Sequence, residues 1–501
     1  MTAKNKHILS LRRGWSRLER WANRAYTPVY NPLYHLGAIG VFLIWVLIIS
    51  GIYLFIFYEI SVTGAYASVL YLTQDQWYLG GIIRSLHHYG ADLLVMATVL
   101  HLIHTLVTDR YRYWRWVAWV SGIALLWIIW ISGIFGYWMV WDRRAQLVAT
   151  LSAEMLGKVP IFGQPLSLDL SSNSALSNQL FYIVLFIHFS TPVVFFILLW
   201  IHVKRIAKAK VNPPARLSWG IIGLILFLSL IRPARLGLRA DLGRLPGAIP
   251  FDWFYLYIYP SLKYISASSL WAVIIASTIF VSALPWMGRN RRPPAPEVAA
   301  ANCVGCEQCM MDCPYEAIFM EPRRNGFPAA KILSKNCAGC GVCEGSCDYR
   351  AINLPHFEEG VIKDKVLRLS QELKAGGMHP TVFTFVCARG VELNDILKDM
   401  AWTKVVSVPC IGMLKPSIAA IPIETGVHGV FIAGCQTGDC HYRFGNEWLA
   451  QRLEGIRHPA PDWDFDHFRI RLAGFSKVEA EDFLTMLNRF RSEMQERGMH
   501  G

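Results

Sequence analysis

The chain has 501 residues, 53% of them hydrophobic and 17% charged, which is too long for one domain and too apolar for an ordinary soluble protein. Its formal charge of +13 does not argue for nucleic acid, because a basic excess in so apolar a chain marks the loops on one face of a membrane. Composition is also uneven: the long apolar runs end near Leu284 and every cysteine lies at or beyond Cys303, with a basic, proline-rich stretch, Arg289-Asn290-Arg291-Arg292-Pro293-Pro294-Ala295-Pro296, between them.

Six candidate membrane spans follow in chain order: 33–58, 87–107, 116–140, 181–203, 217–231 and 265–286, the fifth being the shortest. No cleavable leader is expected, since the first apolar run is long enough to span and follows a long polar stretch. Lys4, Lys6, Arg12, Arg13, Arg17, Arg20 and Arg24 are basic, as are Arg110, Arg112 and Arg115 and then Lys204, Arg205, Lys208 and Lys210, whereas 59–83 holds no Lys or Arg. This asymmetry predicts a multi-pass protein of the cytoplasmic membrane with both termini on the cytoplasmic side.

Two spans each carry a histidine pair fourteen residues apart, His87 with His101 and His188 with His202. Fourteen helical steps separate side chains by about 21 Å and about 40° of rotation, so each pair lies on one face at two depths. Two such helices facing one another could hold two haems, each between two imidazoles. For His35, His88 and His104 a hydrogen-bonded structural role or a proton relay is the simpler reading. Gly37 and Gly51 on the first span, and Gly122 and Gly136 on the third, repeat the same spacing. A flat macrocycle between helices would need backbone without Cβ there, and small-residue helix packing is the alternative.

With Arg84-Ser85-Leu86-His87, His101, His188, His202 and Gly136-Tyr137-Trp138-Met139-Val140-Trp141 on the page, residues 20 to 290 resemble the cytochrome b of quinol-oxidising bc and bf complexes. That resemblance implies one haem b on His87 and His188 at the outer face and a second on His101 and His202 at the cytoplasmic face. It also implies an Arg84 contact with a haem propionate. Pro250-Phe251-Asp252-Trp253-Phe254 resembles the family's outer quinol segment, with its proline displaced by one and Phe in place of Tyr; Val140 likewise replaces a proline. Asp252 is therefore the candidate acceptor of a quinol proton, with Tyr137 beside the same site; a solvated loop carboxylate is the alternative for Asp252. Arg232, Arg235, Arg239 and Arg244 depart from the charge rule and point to haem propionates, lipid headgroups or a partner. No Cys precedes Cys303 and no Cys-x-x-Cys-His occurs, which excludes a thioether-linked haem.

Beyond the linker, Cys303, Cys306, Cys309 and Cys313 have the spacing of a bacterial ferredoxin run, and Cys337, Cys340, Cys343 and Cys347 repeat it. The fourth cysteine of each run crosses to the other cluster. One 4Fe-4S cluster is thus expected on Cys303, Cys306, Cys309 and Cys347, the other on Cys337, Cys340, Cys343 and Cys313. Zinc ribbons use similar pairs but not this double pattern. Further on, apolar runs at 381–386, 405–408 and 429–433 each end in or near a cysteine. They read as strands of a small parallel sheet with Cys387, Cys410 and Cys435 at its carboxyl edge, where ligands collect, and Cys440 completing a four-thiolate site. Gly434-Cys435-Gln436-Thr437-Gly438-Asp439-Cys440-His441-Tyr442-Arg443 and Gly445-Asn446 resemble the delta iron–sulfur subunit of methyl-viologen-reducing hydrogenases. The resemblance implies a 2Fe-2S cluster on Cys387, Cys410, Cys435 and Cys440; structural zinc is the alternative.

The expected layout is an all-α transmembrane cytochrome b bundle over 1–290, a linker over 291–299, an α+β ferredoxin domain over 300–360 and an α/β domain over 361–501. Two haems, two 4Fe-4S clusters and a 2Fe-2S cluster would link membrane quinone to a cytosolic flavin or iron–sulfur partner of the heterodisulfide-reductase, hydrogenase or dehydrogenase kind, in a hetero-oligomer. A bc-like complex serving a separate Rieske-type protein is one alternative, and a redox-sensing membrane receptor another. Around 463–467, Trp463-Asp464-Phe465-Asp466-His467 and the charged tail are expected only to pack.

Overall fold

The computed structural model describes residues 3–159, 178–206, 208–241, 243, 252, 254–287, 293–323, 326–393, 397, 400–463, 465–477 and 479–498. Pro250, Phe251, Trp253, Arg244, Asp464 and the basic stretch 289–292 lie outside them. The chain divides into two compact units, residues 35–288 and residues 1–34 with 289–501.

The first unit is a helical bundle. Among the described residues five helices are long and apolar enough to cross a membrane: Leu36–Phe57, Trp77–Val107, Tyr113–Val140, Asn178–Lys204 and Ala267–Trp286. The shorter Ala215–Ile231 is the fifth expected span; its 17 residues rise about 25 Å. A spanning helix satisfies its backbone internally, which is why unbroken apolar runs fold this way in hydrocarbon. With α1 as Ala3–Tyr30, α2 as Leu36–Phe57, α3 as Gly64–Gln74, α4 as Ile82–Val107, α5 as Trp116–Val140, α6 as Arg143–Leu156 and α7 as Asn178–Ile206, the closest packed pairs are α2 with α4 and α5 with α7. The arginine-rich segment after Ile231 folds back over one end of the bundle. There Ala234 N donates to Ser85 Oγ (2.9 Å), Tyr66 Oη donates to Gly237 O (2.9 Å), and Arg84 Nη1 donates to Ala234 O (2.7 Å).

In the second unit α1 is amphipathic rather than spanning. It buries Trp15, Ser16, Glu19 and Ala22 and exposes Leu11 and Trp21, so its apolar residues are too few and too spaced for a span. The ferredoxin part carries two antiparallel ladders, β1 (Glu297–Val298) with β4 (Ile352–Asn353), and β2 (Ile318–Glu321) with β3 (Ala329–Ile332). The last part is a four-stranded parallel sheet in the order β6-β5-β7-β8, with β5 Val382–Cys387, β6 Thr403–Val408, β7 Gly429–Cys435 and β8 Ile470–Phe475. Strands β5 and β7 are buried throughout, as helices covering both faces of a parallel sheet require. Phe383 and Phe385 join the core with Ile362, Val366 and Leu373. Val382 and Val386 face the opposite core with Phe483, Leu487, Phe490 and Met494 of the last helix, Ala480–Gly498. Strand β8 and this helix were not expected to be part of the sheet; they close its edge and its second face.

A fully buried ion pair joins the ferredoxin part to the sheet. Arg452 donates to Gly412 O (2.7 Å), Ser346 Oγ (2.6 Å) and Asp312 Oδ2 (3.1 Å), and Arg457 donates to Asp312 Oδ1. Both side chains of the Arg452–Asp312 pair are wholly inaccessible. Asp312 precedes Cys313, Ser346 precedes Cys347, and Gly412 follows Cys410 by two residues, so one guanidinium holds three cysteine-bearing loops. Removing one partner of a buried pair costs about 3–5 kcal/mol because the other is left charged and dry. Arg452→Met should therefore lower the thermal midpoint of the purified chain, followed by circular dichroism, sharply. Lys331→Ala should barely move it, since the Lys331–Glu321 pair is half exposed and such pairs are worth at most about 1 kcal/mol.

Candidate metal centres

The fourteen-residue spacing resolves into four contacts. A Cβ on Gly51 would lie 3.2 Å from His87 Cε1, on Gly37 3.2 Å from His101 Cε1, on Gly136 3.1 Å from His188 Cε1, and on Gly122 3.3 Å from His202 Cε1. The glycines of α2 thus receive the histidines of α4, and those of α5 receive the histidines of α7. The expectation gave these glycines to the face of a macrocycle. In the structure the same positions also make room for the edge of an imidazole, which lets each ring lie against the neighbouring helix. The His87 and His188 rings are 6.4 Å apart between centroids, at 58°, and His101 interacts with His202.

Ring orientation follows from what Nδ1 touches. His87 Nδ1 is 2.9 Å from Ser50 Oγ and His202 Nδ1 is 3.1 Å from Ser121 Oγ. Each serine donates its own proton down the helix, to Val46 O and Val117 O respectively, both at 2.7 Å, so each oxygen is left to accept. His188 Nδ1 lies 2.9 Å from Ser132 O, which can only accept. Three of the four imidazoles therefore carry their proton on Nδ1, which leaves Nε2 bare as a ligand atom. Ser50 and Ser121 were not anticipated; that each directly precedes a marked glycine, Gly51 and Gly122, is the signal that would have found them.

At the His87 end of the bundle, Tyr137 Oη donates to Asp252 Oδ2, and Asp252 Oδ1 accepts from Phe254 N and Tyr255 N, both at 2.9 Å. The structure thus brings the two candidate quinol-site residues together. Asp92, an acid inside the second span with Nε2 of His88 at 3.8 Å, interacts electrostatically with Tyr137. Arg84 sits at this end too, its guanidinium bonded to the Ala234 carbonyl as described.

The eight ferredoxin-type cysteines separate into two cavities. Cys313, Cys337, Cys340 and Cys343 line the first, and Cys303, Cys306, Cys309 and Cys347 the second. Each cavity takes its fourth cysteine from the other run. Backbone amides point at the sulfurs: Ala317 N donates to Cys313 Sγ and Ala351 N to Cys347 Sγ, both at 3.3 Å, and Gly339 N to Cys337 Sγ at 3.4 Å. Such N–H···S bonds favour the thiolate that a cluster needs. Burial works the other way and pushes the Cys309 thiol up to about 12, with Cys347, Cys306 and Cys303 adding to it. Assembly of a metal centre here must displace protons.

The parallel register sets the third group. Cys387 and Cys435 end β5 and β7 with their sulfurs 3.6 Å apart, and Cys410 follows β6. Cys440 arrives from the turn before the helix Gly445–Leu453, and a Cβ on Gly445 would overlap Cys410 Sγ and lie 3.7 Å from Cys440 Sγ. Four converging thiols at a sheet's carboxyl edge fit either a small iron–sulfur cluster or zinc.

A membrane bundle with two histidine pairs on facing helices, joined to three four-cysteine sites, defines a multi-pass electron-transfer protein. Residues 22–182 match the family "Cytochrome b/b6/petB", residues 302–351 the "4Fe-4S dicluster domain" and residues 383–498 "Methyl-viologen-reducing hydrogenase, delta subunit". The last match covers β8 and the final helix as well as the three cysteine-bearing strands. Among curated relatives, the chain is 24% identical over 200 residues to a cytochrome b of Acanthamoeba castellanii, covering 40% of this chain and 52% of that one. It is 26% identical over 133 residues to a cytochrome b6 of Heliobacterium mobile, covering 26% and 62%. The chain thus spans about half to six-tenths of these relatives. A chain of a hyperthermophilic respiratory Complex III aligns at 19% identity with a TM-score of 0.42, over 51% of this chain and 75% of that one.

The Gly445 contact gives a selective test. Gly445→Ala should empty the third site while leaving the metal held by the eight ferredoxin-type cysteines unchanged, as read by metal analysis and paramagnetic spectra.

Proposed function

We propose that the chain is the membrane electron-transfer subunit of a larger quinone/quinol oxidoreductase. In this reading the bundle holds two b haems, His87 with His188 at the outer face and His101 with His202 at the cytoplasmic face, and both termini and the cysteine sites are cytoplasmic. The observation that carries it is the fourfold glycine–histidine register in a bundle fused to ferredoxin-type cysteine sites. Haem iron and iron–sulfur clusters supply one-electron carriers when bound. The chain's residues do the rest. Ser50, Ser121 and the Ser132 carbonyl hold Nδ1–H and aim Nε2 inward. Asp252, held by Tyr137 and two backbone amides, accepts a quinol proton at its carboxylate. The cysteines bind as thiolates, with Cys387, Cys410, Cys435 and Cys440 taking a 2Fe-2S cluster. The arginine-rich segment at the His87 end offers positive charge to haem propionates.

Electrons would pass between quinone and a cytosolic flavin or iron–sulfur partner in a hetero-oligomer. Charge moving across the membrane is coupled to its potential at about 2.3 kcal/mol per 100 mV. The purified, anaerobically handled chain should hold about two b haems and about ten cluster irons; zinc at the third site would replace the 2Fe-2S assignment, and absence of haem would overturn the whole reading. Gly136→Val should bring haem content down to about one per chain, measured by the pyridine haemochrome. Asp252→Asn should slow quinol-dependent haem reduction by about 10²-fold or more with haem content unchanged, in stopped-flow spectra.

A further inference from the structure

In the five long apolar helices and the shorter Ala215–Ile231 a single acid occurs, Asp92 in α4. A carboxylate at membrane depth is costly unless it lines a polar cavity or meets a partner, and it marks a functional position more often than a packing one. Five helical steps beyond His87 place it about 7.5 Å further along α4 and about 140° round. It is therefore off the face that carries His87 and His101. His88 Nε2 lies 3.8 Å from Asp92 Oδ2, and 37% and 35% of the two side chains are open. That separation is too long for a hydrogen bond, so the pair does not close on itself.

Polar neighbours show which way that opening faces. Tyr255 Oη donates to Ala91 O (3.3 Å), the carbonyl just before Asp92, and its ring lies 6.0 Å from that of Tyr137. Tyr137 in turn donates to Asp252. From α6, the Arg144 guanidinium lies 5.9 Å from the Tyr137 ring centroid, and its buried Nε has no hydrogen-bond partner among the described residues. Asp92 interacts electrostatically with Asp252, Arg144, Tyr137 and Tyr255, and His88 with Arg84, Asp252 and Arg144. The groups around Asp92 are thus His88 of its own helix, Tyr137 of α5, Arg144 of α6, and Asp252 and Tyr255 of the segment before the last span. Asp92 faces the Asp252 site and not lipid.

Asp252 alone does not complete the proton balance of that site. Oxidising a quinol to a quinone breaks two O–H bonds and releases two protons and two electrons, and one carboxylate takes one proton. Asp252 is also held in one orientation, accepting from Tyr137, Phe254 and Tyr255. We propose that Asp92 is the second proton acceptor of the quinol site. One hydroxyl proton goes to the Asp252 carboxylate and the other to the Asp92 carboxylate, while the two electrons leave one at a time to one-electron carriers of the haem class. The inference rests on the quinol-oxidising reading of Asp252 and adds a second proton route to it. Its competitor is a second proton taken by bulk water or by a separate Rieske-type protein, for which Asp92 would be dispensable.

The full chain, purified in detergent with its haems, is mixed with menadiol as the quinol probe, and haem reduction is followed by stopped-flow absorbance. Asp92→Asn should slow that reduction by about 10²-fold, with haem content and the dithionite-reduced spectrum unchanged. Added formate, a small carboxylate that can stand in for the missing one, should restore the rate of Asp92→Asn, and Asp92→Glu should keep most of it; a packing defect would respond to neither. Reduction of Asp92→Asn at the wild-type rate, or a slowing that formate leaves unchanged, would overturn Asp92 as the second acceptor. The quinol reading fails by different results: a wild-type chain whose haems menadiol does not reduce, or an Asp252→Asn variant that reacts at the wild-type rate, would overturn that reading and this inference with it.

Discussion

A helix in hydrocarbon has to satisfy its own backbone hydrogen bonds, because nothing around it can. It therefore keeps its pitch, and the membrane half of this protein depends on that regularity. Fourteen residues return almost to the same face at about 21 Å further along, so a histidine pair on one helix and a glycine pair on its neighbour stay in register at both depths. With side chains at Gly37, Gly51, Gly122 or Gly136 the imidazoles would have to draw back from the facing helix. Without Ser50, Ser121 or the Ser132 carbonyl, three of the rings would lack a fixed tautomer. Packing and proton placement act on the same rings, and together they fix two histidine pairs at two depths of the bundle.

The other unit meets the same demand, fixed distance between redox stations, by different means. No single helix runs through it, so rigidity comes from a buried charge. Arg452 is desolvated completely, which is costly unless every neighbour answers it. Gly412 O, Ser346 Oγ and Asp312 do so, and each lies within two residues of a cysteine in a different loop. A purely apolar contact could be as stable, but it would slide. A guanidinium with directed bonds to three loops holds their spacing.

Much of this was legible in the residues because it is local and periodic. The helix spans, the histidine and glycine spacings, the doubled cysteine run and three strands ending at cysteines are all patterns of short period, and the parallel sheet and helical bundle follow from them. What escaped was long-range or polar. Strand β8, with Arg471 inside it, has no continuous apolar run, and its place is fixed only by pairing with β7 some forty residues earlier. Phe483, Leu487, Phe490 and Met494 recur at helical spacing and mark a core face, but the charged residues between them resemble a solvated tail. Arg452 and Asp312 are 140 positions apart, and nothing in either neighbourhood announces the other. The glycines mark the same limit: spacing selects positions, whereas only the packed neighbour shows that the imidazole edges also use the vacant volume.

Joining these modules in one chain also changes which contacts must be specific. Between separate proteins each transfer needs an encounter; within a chain the partner is present at a high effective concentration whatever the bulk dilution. Internal contacts can then be dry and permanent, as the Gly412–Gly345 packing and the Arg452 pair are. A contact that still has to form and release cannot be built that way, because a large dry interface would hold the partner too long. It needs a small apolar centre, exposed in the free state, with charges at its margin to speed approach. The distribution of burial over the twelve cysteines follows this division: eleven are enclosed or partly enclosed, and Cys306 alone is exposed.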